Sequence, residues 1–242
     1  MEKKENTSSV PISRRLSASN AVYSITPFTL LDYPKKTACI IWFAGCNMRC
    51  LYCYNPDIVL GKGTIDFKTA ISFLESRIGL LDAVVLSGGE CTIHKNIIPF
   101  IKKIKSMGFL VKIDTNGSNP LVVKDLIFDR LVDYIALDFK SLPETFSQIT
   151  QSRFFSKFEQ SLSVLMHSKI DFEIRTTFHS SLISETQFVK MIEFLESQNY
   201  EGKYYVQFFV NNVPTLCQLE SSHKEIRIKN YSTSKIKVIF RD

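Results

Sequence analysis

From about residue 20 onward, two hydrophobic patterns take turns along the chain. Short apolar runs at Cys39–Phe43, Ala83–Leu86, Phe109–Ile113, Tyr134–Leu137, Phe172–Phe178 and Tyr204–Val210 have the length and density of buried strands. Between them, apolar residues recur at helical spacing. Ala70, Ile71, Leu74 and Ile78 follow a capping Asp66; Ile97, Ile101 and Ile104 lead to a stop at Gly108; a further helix falls around Leu121–Phe128. Phe158, Leu162, Leu165 and Met166 share a side, and Ser184 to Gln187 reads as a capping box before Phe188, Met191, Ile192 and Leu195. A polar stretch, Asn211 to Ser234, leads to a last apolar run at Ile236–Phe240. Strands alternating with helices predict a parallel sheet. Six units are too few for a complete eightfold barrel, so the expectation is an α/β fold with an open (β/α)6 partial TIM-type barrel. A flat doubly wound sheet is the alternative. Residues 1–20 read as a flexible tail and 21–242 as one domain.

Composition narrows the class. With 242 residues and 45% apolar content, the chain can bury a large core, which excludes wholesale disorder. The net charge of +6 comes from basic residues scattered along the sequence, so no nucleic-acid footprint is indicated. The first twenty residues hold no apolar leader segment, and no run approaches the ~18 apolar residues of a membrane span. The expectation is a cytoplasmic protein with neither membrane nor nucleic acid as partner. In a reducing compartment, six cysteines suggest metal or thiol chemistry rather than disulfides.

Chemistry-bearing residues fall at the ends of the predicted strands, where parallel βα architectures gather their functional groups. After the first strand comes Gly45-Cys-Asn-Met-Arg-Cys-Leu-Tyr-Cys53, and after the second Ser87-Gly-Gly-Glu90. The third ends in Asp114-Thr-Asn-Gly117 and the fourth in Asp138-Phe-Lys140; the fifth carries Arg175 and Thr177, and the sixth Gln207. Cys46, Cys50 and Cys53, spaced C-x3-C-x2-C, offer three soft ligands from one loop, which suits an iron–sulfur cluster with one iron left open. A structural zinc site would want a fourth ligand, with Cys91 or a histidine as candidates. Gly88 and Gly89 fit either an ordinary turn or close backbone approach to a ligand, with Glu90 taking an ammonium group. Asp138 and Lys140 are either an ion pair at the barrel rim or a lysine placed to hold a carboxylate. His94, His167 and His223 read as surface or helix residues, and His179 as structural though within reach of the site. Cys39 reads as a packed thiol and Cys217 as a loop thiol.

These residues resemble the radical S-adenosylmethionine (radical SAM) superfamily. The resemblance rests on Cys46-x3-Cys50-x2-Cys53 with Tyr52 before the last cysteine, and on Gly88-Gly89-Glu90. Within it the chain is similar to activating enzymes of glycyl-radical proteins, above all those of anaerobic ribonucleoside-triphosphate reductase. The supporting stretches are Thr29–Pro34, Tyr52–Pro56, Ser87–Thr92, Asp114–Pro120, Ala136–Lys140 and Arg175–Thr177. The resemblance implies a [4Fe-4S] cluster on Cys46, Cys50 and Cys53 whose open iron takes the amino and carboxylate groups of S-adenosylmethionine. Gly88, Gly89 and Glu90 would hold the amino end and Lys140 the carboxylate, with Arg175 adding positive charge. Tyr52, Asp114 and Asn116 fall among the cofactor-contacting positions, and Asp114, Thr115 and Asp138 match a monovalent-cation site. An electron from flavodoxin or ferredoxin would cleave the cofactor to methionine and a 5′-deoxyadenosyl radical, which abstracts hydrogen from a glycine of the partner enzyme. Leu51, Tyr54 and Cys91 depart from the Pro, His and Pro usual in such activases. Rival readings are radical chemistry on a small molecule or another peptide, and a non-catalytic iron–sulfur or zinc protein. The single cysteine cluster and compact chain suit a macromolecular substrate.

Overall fold

A computed structural model describes residues 20–241. The expected tail therefore lies outside the described residues, except for Asn20. Eight strands form one sheet in strictly sequential order: β1 (Val22–Thr29), β2 (Ala38–Phe43), β3 (Ala83–Gly88), β4 (Leu110–Thr115), β5 (Tyr134–Asp138), β6 (Asp171–Phe178), β7 (Gly202–Phe208) and β8 (Ile236–Arg241). From β2 to β8 every pairing is parallel, while β1 runs antiparallel along the edge of β2. Strand order that never reverses winds in one sense and has no switch point, so the doubly wound alternative is set aside. With β1 and β8 both at edges, the barrel stays open.

Two strands extend the predicted six. The apolar run Ile236–Phe240 is β8, paired with β7 from Gly202↔Ile236 to Gln207↔Arg241. No apolar run announces β1: it carries Ser24, Thr26, Pro27 and Thr29, and an edge strand accepts both the polar residues and the proline.

The helices are α1 (Pro56–Leu60), α2 (Phe67–Glu75), α3 (Ile97–Ser106), α4 (Pro120–Phe128), α5 (Pro143–Thr150), α6 (Phe155–Met166) and α7 (Glu185–Ser197). Asp66 caps α2 by accepting from Thr69 N–H at 2.7 Å, and the Ser184/Gln187 capping box opens α7. Ile78, expected on the buried face of α2, lies beyond the helix and is exposed, because the helix ends at Glu75.

Alternation along the strands separates core from lumen. Cys39, Ile41 and Phe43 on β2, Val84 and Leu86 on β3, Val111 and Ile113 on β4 and Ile135 and Leu137 on β5 join the main core that the helices cover. The intervening residues face the barrel interior. There a small apolar plug of Tyr33, Ala38, Ile40, Ala83 and Val85 gives way to Ser87, Lys112, Asp114, Asp138, Glu173 and Arg175. One strand face is thus built for packing and the other for charge.

Candidate active site

At the carboxyl ends of the strands the lumen opens into a cavity of about 180 Å³. Its walls bring together Cys46, Cys50, Tyr52 and Cys53 from the loop after β2 and Ser87, Gly88 and Gly89 from β3 and its turn. Asp114, Thr115 and Asn116 come from β4, Asp138 and Lys140 from β5, and Arg175 and Thr177 from β6. Gln207 is exposed and outside the cavity, and Glu90 does not line it.

The cysteine loop is tied down on several sides. Arg49 N–H donates to Thr150 O at 2.9 Å and Leu51 N–H to Ile149 O at 3.0 Å, joining it to the end of α5. From the segment after β7, Leu216 N–H donates to Cys53 O and Cys217 N–H to Leu51 O. Tyr54 stacks on Phe209, with ring centroids 5.3 Å apart, and its hydroxyl accepts from Val210 N–H at 2.7 Å. Leu51 and Tyr54, the two departures inside the motif, therefore anchor the loop to its surroundings.

The glycine turn presses on the same loop. Gly89 N–H donates to Phe43 O and Glu90 N–H to Gly45 O. Gly88 has φ +110°, and a Cβ there would stand 2.6 Å from Phe43 N; a Cβ on Gly89 would collide with Gly45 O. Backbone-to-backbone packing thus demands both glycines, and it seats the start of the cysteine loop.

Glu90 is held within the chain. Its carboxylate is fully buried and accepts from Thr92 N–H (3.1 Å), Thr92 Oγ1 (2.6 Å), Thr115 Oγ1 (2.9 Å) and Asn116 N–H (2.7 Å). Burial still raises its pKa above the ordinary value despite these donors. With both oxygens engaged by the chain, Glu90 clamps the β4 turn.

Asp114 and Asp138, two of the residues matched to a monovalent cation, belong to an ion-pair network. Arg175 lies between the two carboxylates: Nη1 is 3.3 Å from Asp114 Oδ2, and Nη2 is 2.9 Å from Asp138 Oδ1. Lys112 pairs with Asp114 Oδ1 at 2.8 Å and Lys140 with Asp138 Oδ2 at 3.0 Å, while Thr115 Oγ1 is committed to Glu90. Burial alone would raise the Asp114 carboxyl, yet Arg175 and Lys112 hold it down to about 2. Burial would likewise lower Lys140, but Asp138 keeps it firmly charged. Asp114 and Asp138 thus bind three protein cations. Lys112 had no part in the strand-end reading; its position two residues before Asp114 on the same strand face was the available signal.

All six cysteines are free thiols, and burial raises the Cys46 thiol to about 12. Among the described residues no three His, Cys, Asp or Glu side chains converge on a single metal ion. Tetrahedral zinc at about 2.3 Å from each sulfur needs its ligands roughly 4 Å apart. In a [4Fe-4S] cluster the cysteines bind different irons, so their sulfurs stand farther apart than around one metal ion. Cys91 is buried with its sulfur against Asp114 O, so it is not a fourth ligand. His94, half-buried at the end of the short 3-10 turn Cys91–Ile93, pairs with Ala44 O at 3.0 Å just before the cysteine loop. His179 is fully buried against Glu220 O and Phe209, a structural role as expected. The Tyr52 hydroxyl, in the cavity wall, is buried without a hydrogen-bond partner. An orphaned buried hydroxyl beside three thiols and a wall of two cations and two carboxylates fits a site made for a polar, charged group held next to soft metal ligands.

Comparison with known proteins agrees with this chemistry. The profile of the radical SAM superfamily matches residues 40–195. A Methanocaldococcus jannaschii protein provisionally named a glycyl-radical enzyme activating enzyme is 34% identical over 174 residues, covering 68% of this chain and 70% of that protein. The pyruvate formate-lyase-activating enzyme of Listeria monocytogenes is 31% identical over 144 residues, covering 53% and 57%. Among solved structures, SuiB of Streptococcus suis bound to S-adenosylmethionine superposes with a TM-score of 0.64 at 13% identity, covering 84% of this chain and 52% of SuiB. At that identity the likeness is one of fold. The chain spans about half the length of the last two.

Proposed function

The chain belongs to the radical SAM superfamily, and on that premise we propose that it activates a glycyl-radical enzyme. The superfamily's cofactors are a [4Fe-4S] cluster and S-adenosylmethionine, which together supply one-electron reductive cleavage to methionine and a 5′-deoxyadenosyl radical. The observation that carries the reading is the meeting, in one cavity, of three free cysteines with a charged wall of Asp114, Asp138, Lys140 and Arg175.

In this reading Cys46, Cys50 and Cys53 hold the cluster. The backbone of Gly88 and Gly89 borders the amino end of S-adenosylmethionine, and Lys140, with Arg175 beside it, draws its carboxylate. Tyr52 offers its unpartnered hydroxyl as a donor. The chain's own work is to position these groups and exclude water. The partner we propose is anaerobic ribonucleoside-triphosphate reductase, with flavodoxin or ferredoxin as electron donor. A glycine-bearing loop suits an open barrel because glycine lacks a Cβ and bends into a deep site. Relatives named as activating enzymes support this substrate class over small-molecule chemistry.

Anaerobic reconstitution tests the site. The protein should take up about four irons and four sulfides, losing them on Cys46→Ala, Cys50→Ala or Cys53→Ala and keeping them on Cys217→Ala. With dithionite and S-adenosylmethionine it should release 5′-deoxyadenosine. A stoichiometric zinc protein that takes up no iron would overturn the reading.

A further inference from the structure

The sulfur of Cys46 accepts two hydrogen bonds from the protein, one from Met48 N–H at 3.4 Å and one from the side-chain amide of Asn116, with Nδ2 at 3.8 Å. The second donor is held with unusual care. Asn116 Oδ1 accepts from Ser118 N–H at 2.9 Å, and this backbone donor fixes which end of the amide is oxygen. Nδ2 donates to Asn47 Oδ1 at 3.0 Å, and Asn47 Nδ2 donates to Ser118 Oγ at 2.7 Å. An amide nitrogen has two protons; with one committed to Asn47, the other is left for Cys46. Behind the side chain, Asn116 N–H donates to the buried carboxylate of Glu90, itself clamped by Thr92 and Thr115. Asn116 is 5% exposed. A surface asparagine would need no such cage.

We propose that Asn116 tunes the cluster's reduction potential by donating to the Cys46 sulfur. The inference rests on the cluster assignment above and adds to it a residue that touches no iron. The reduced cluster carries one more negative charge than the oxidised one, so a donor on a ligand sulfur favours reduction, and hydrogen bonds to sulfur are among the determinants of cluster potential. One electron enters from an external donor, no bond forms or breaks, and the amide proton stays on nitrogen. Glu90 acts at one remove: it fixes the backbone that aims the amide. Asn116 is therefore a positioning and tuning residue, and its effect should appear in electron affinity before substrate is present.

The test is a redox titration of the reconstituted protein without S-adenosylmethionine, following the EPR signal of the reduced cluster. At the potential that half-reduces the wild type, Asn116→Ala should show a reduced-to-oxidised ratio about tenfold lower, a shift of about 59 mV for one electron. Asn116→Asp, which places an acceptor where the donor was, should fall further. Full iron content with an unchanged ratio in both variants would overturn the proposal. So would variants that lose iron while the clusters they retain titrate as in the wild type, since that is the mark of a merely structural residue. If neither variant assembles a cluster, the wild type decides. With asparagine ¹⁵N-labelled at the side-chain amide, its reduced cluster should show a nitrogen coupling by pulsed EPR, and absence of that coupling overturns the proposal. A wild-type protein that assembles no cluster would remove the cluster assignment itself, a distinct failure.

Discussion

Lys140 and Arg175 share two carboxylates yet stand in different positions. Lys140 pairs with one carboxylate, Asp138, and can turn toward an incoming one, whereas Arg175 bridges Asp138 and Asp114. Lys140→Ala should therefore weaken S-adenosylmethionine binding by roughly 1.5–3 kcal/mol, about tenfold to a hundredfold, with iron content retained. Equilibrium binding alongside iron analysis checks it; parallel loss of both would make Lys140 structural. Because Arg175 already fills the space between the carboxylates, wild-type affinity should not change when sodium or potassium is exchanged for a bulky organic cation at constant ionic strength. Most cavity residues were legible in the sequence, since each lies at the end of an apolar run, where parallel strands deliver their side chains. Glu90 was not. Its partners Thr115 and Asn116 lie 25 and 26 residues away, and no local pattern reveals that a motif acid is already spoken for.

The turn after β3 and the loop after β2 behave as a single part. Gly89→Ala would drive a methyl group into Gly45 O, so the two must separate. The expected result is a folded protein that binds little iron, detected by unfolding melts beside iron analysis. At α7, Ser184→Ala removes one half of the capping box and should cost about 1 kcal/mol without touching iron uptake, which separates helix stability from site assembly. Strands and longer helices followed from period and apolar density. Three elements did not. Edge strand β1 has a polar, proline-bearing sequence, and α1 and α5 are short helices begun by Pro56 and Pro143, whose start signal has too little periodic sequence behind it.

Across the whole molecule, a fold that faces apolar residues toward its helices and charged ones toward its lumen must keep that charge paired. Asp114 illustrates the pH consequence. Its carboxyl lies near 2 when folded against an ordinary 3.8, so its contribution is full at neutral pH and is lost as pH falls through about 4 toward 2. The shift corresponds to about 2 kcal/mol. Asp114→Asn should destabilise the cluster-free protein at pH 7 in urea titrations, and the gap from wild type should narrow as pH falls below about 4 and close only below about 2. The sequential winding of the strands was legible from alternating elements, whereas the charge pairing inside the lumen depended on strands meeting in register, as Asp138 meets Arg175. That open, charged lumen is what we propose receives a glycine loop. The decisive measurement is EPR on the cluster-loaded protein mixed anaerobically with dithionite, S-adenosylmethionine and the anaerobic ribonucleotide reductase of the same organism. The account predicts a glycyl-radical doublet that disappears when the partner's glycine is replaced by alanine. Normal release of 5′-deoxyadenosine with no radical on that or any other glycyl-radical enzyme of the organism would contradict it.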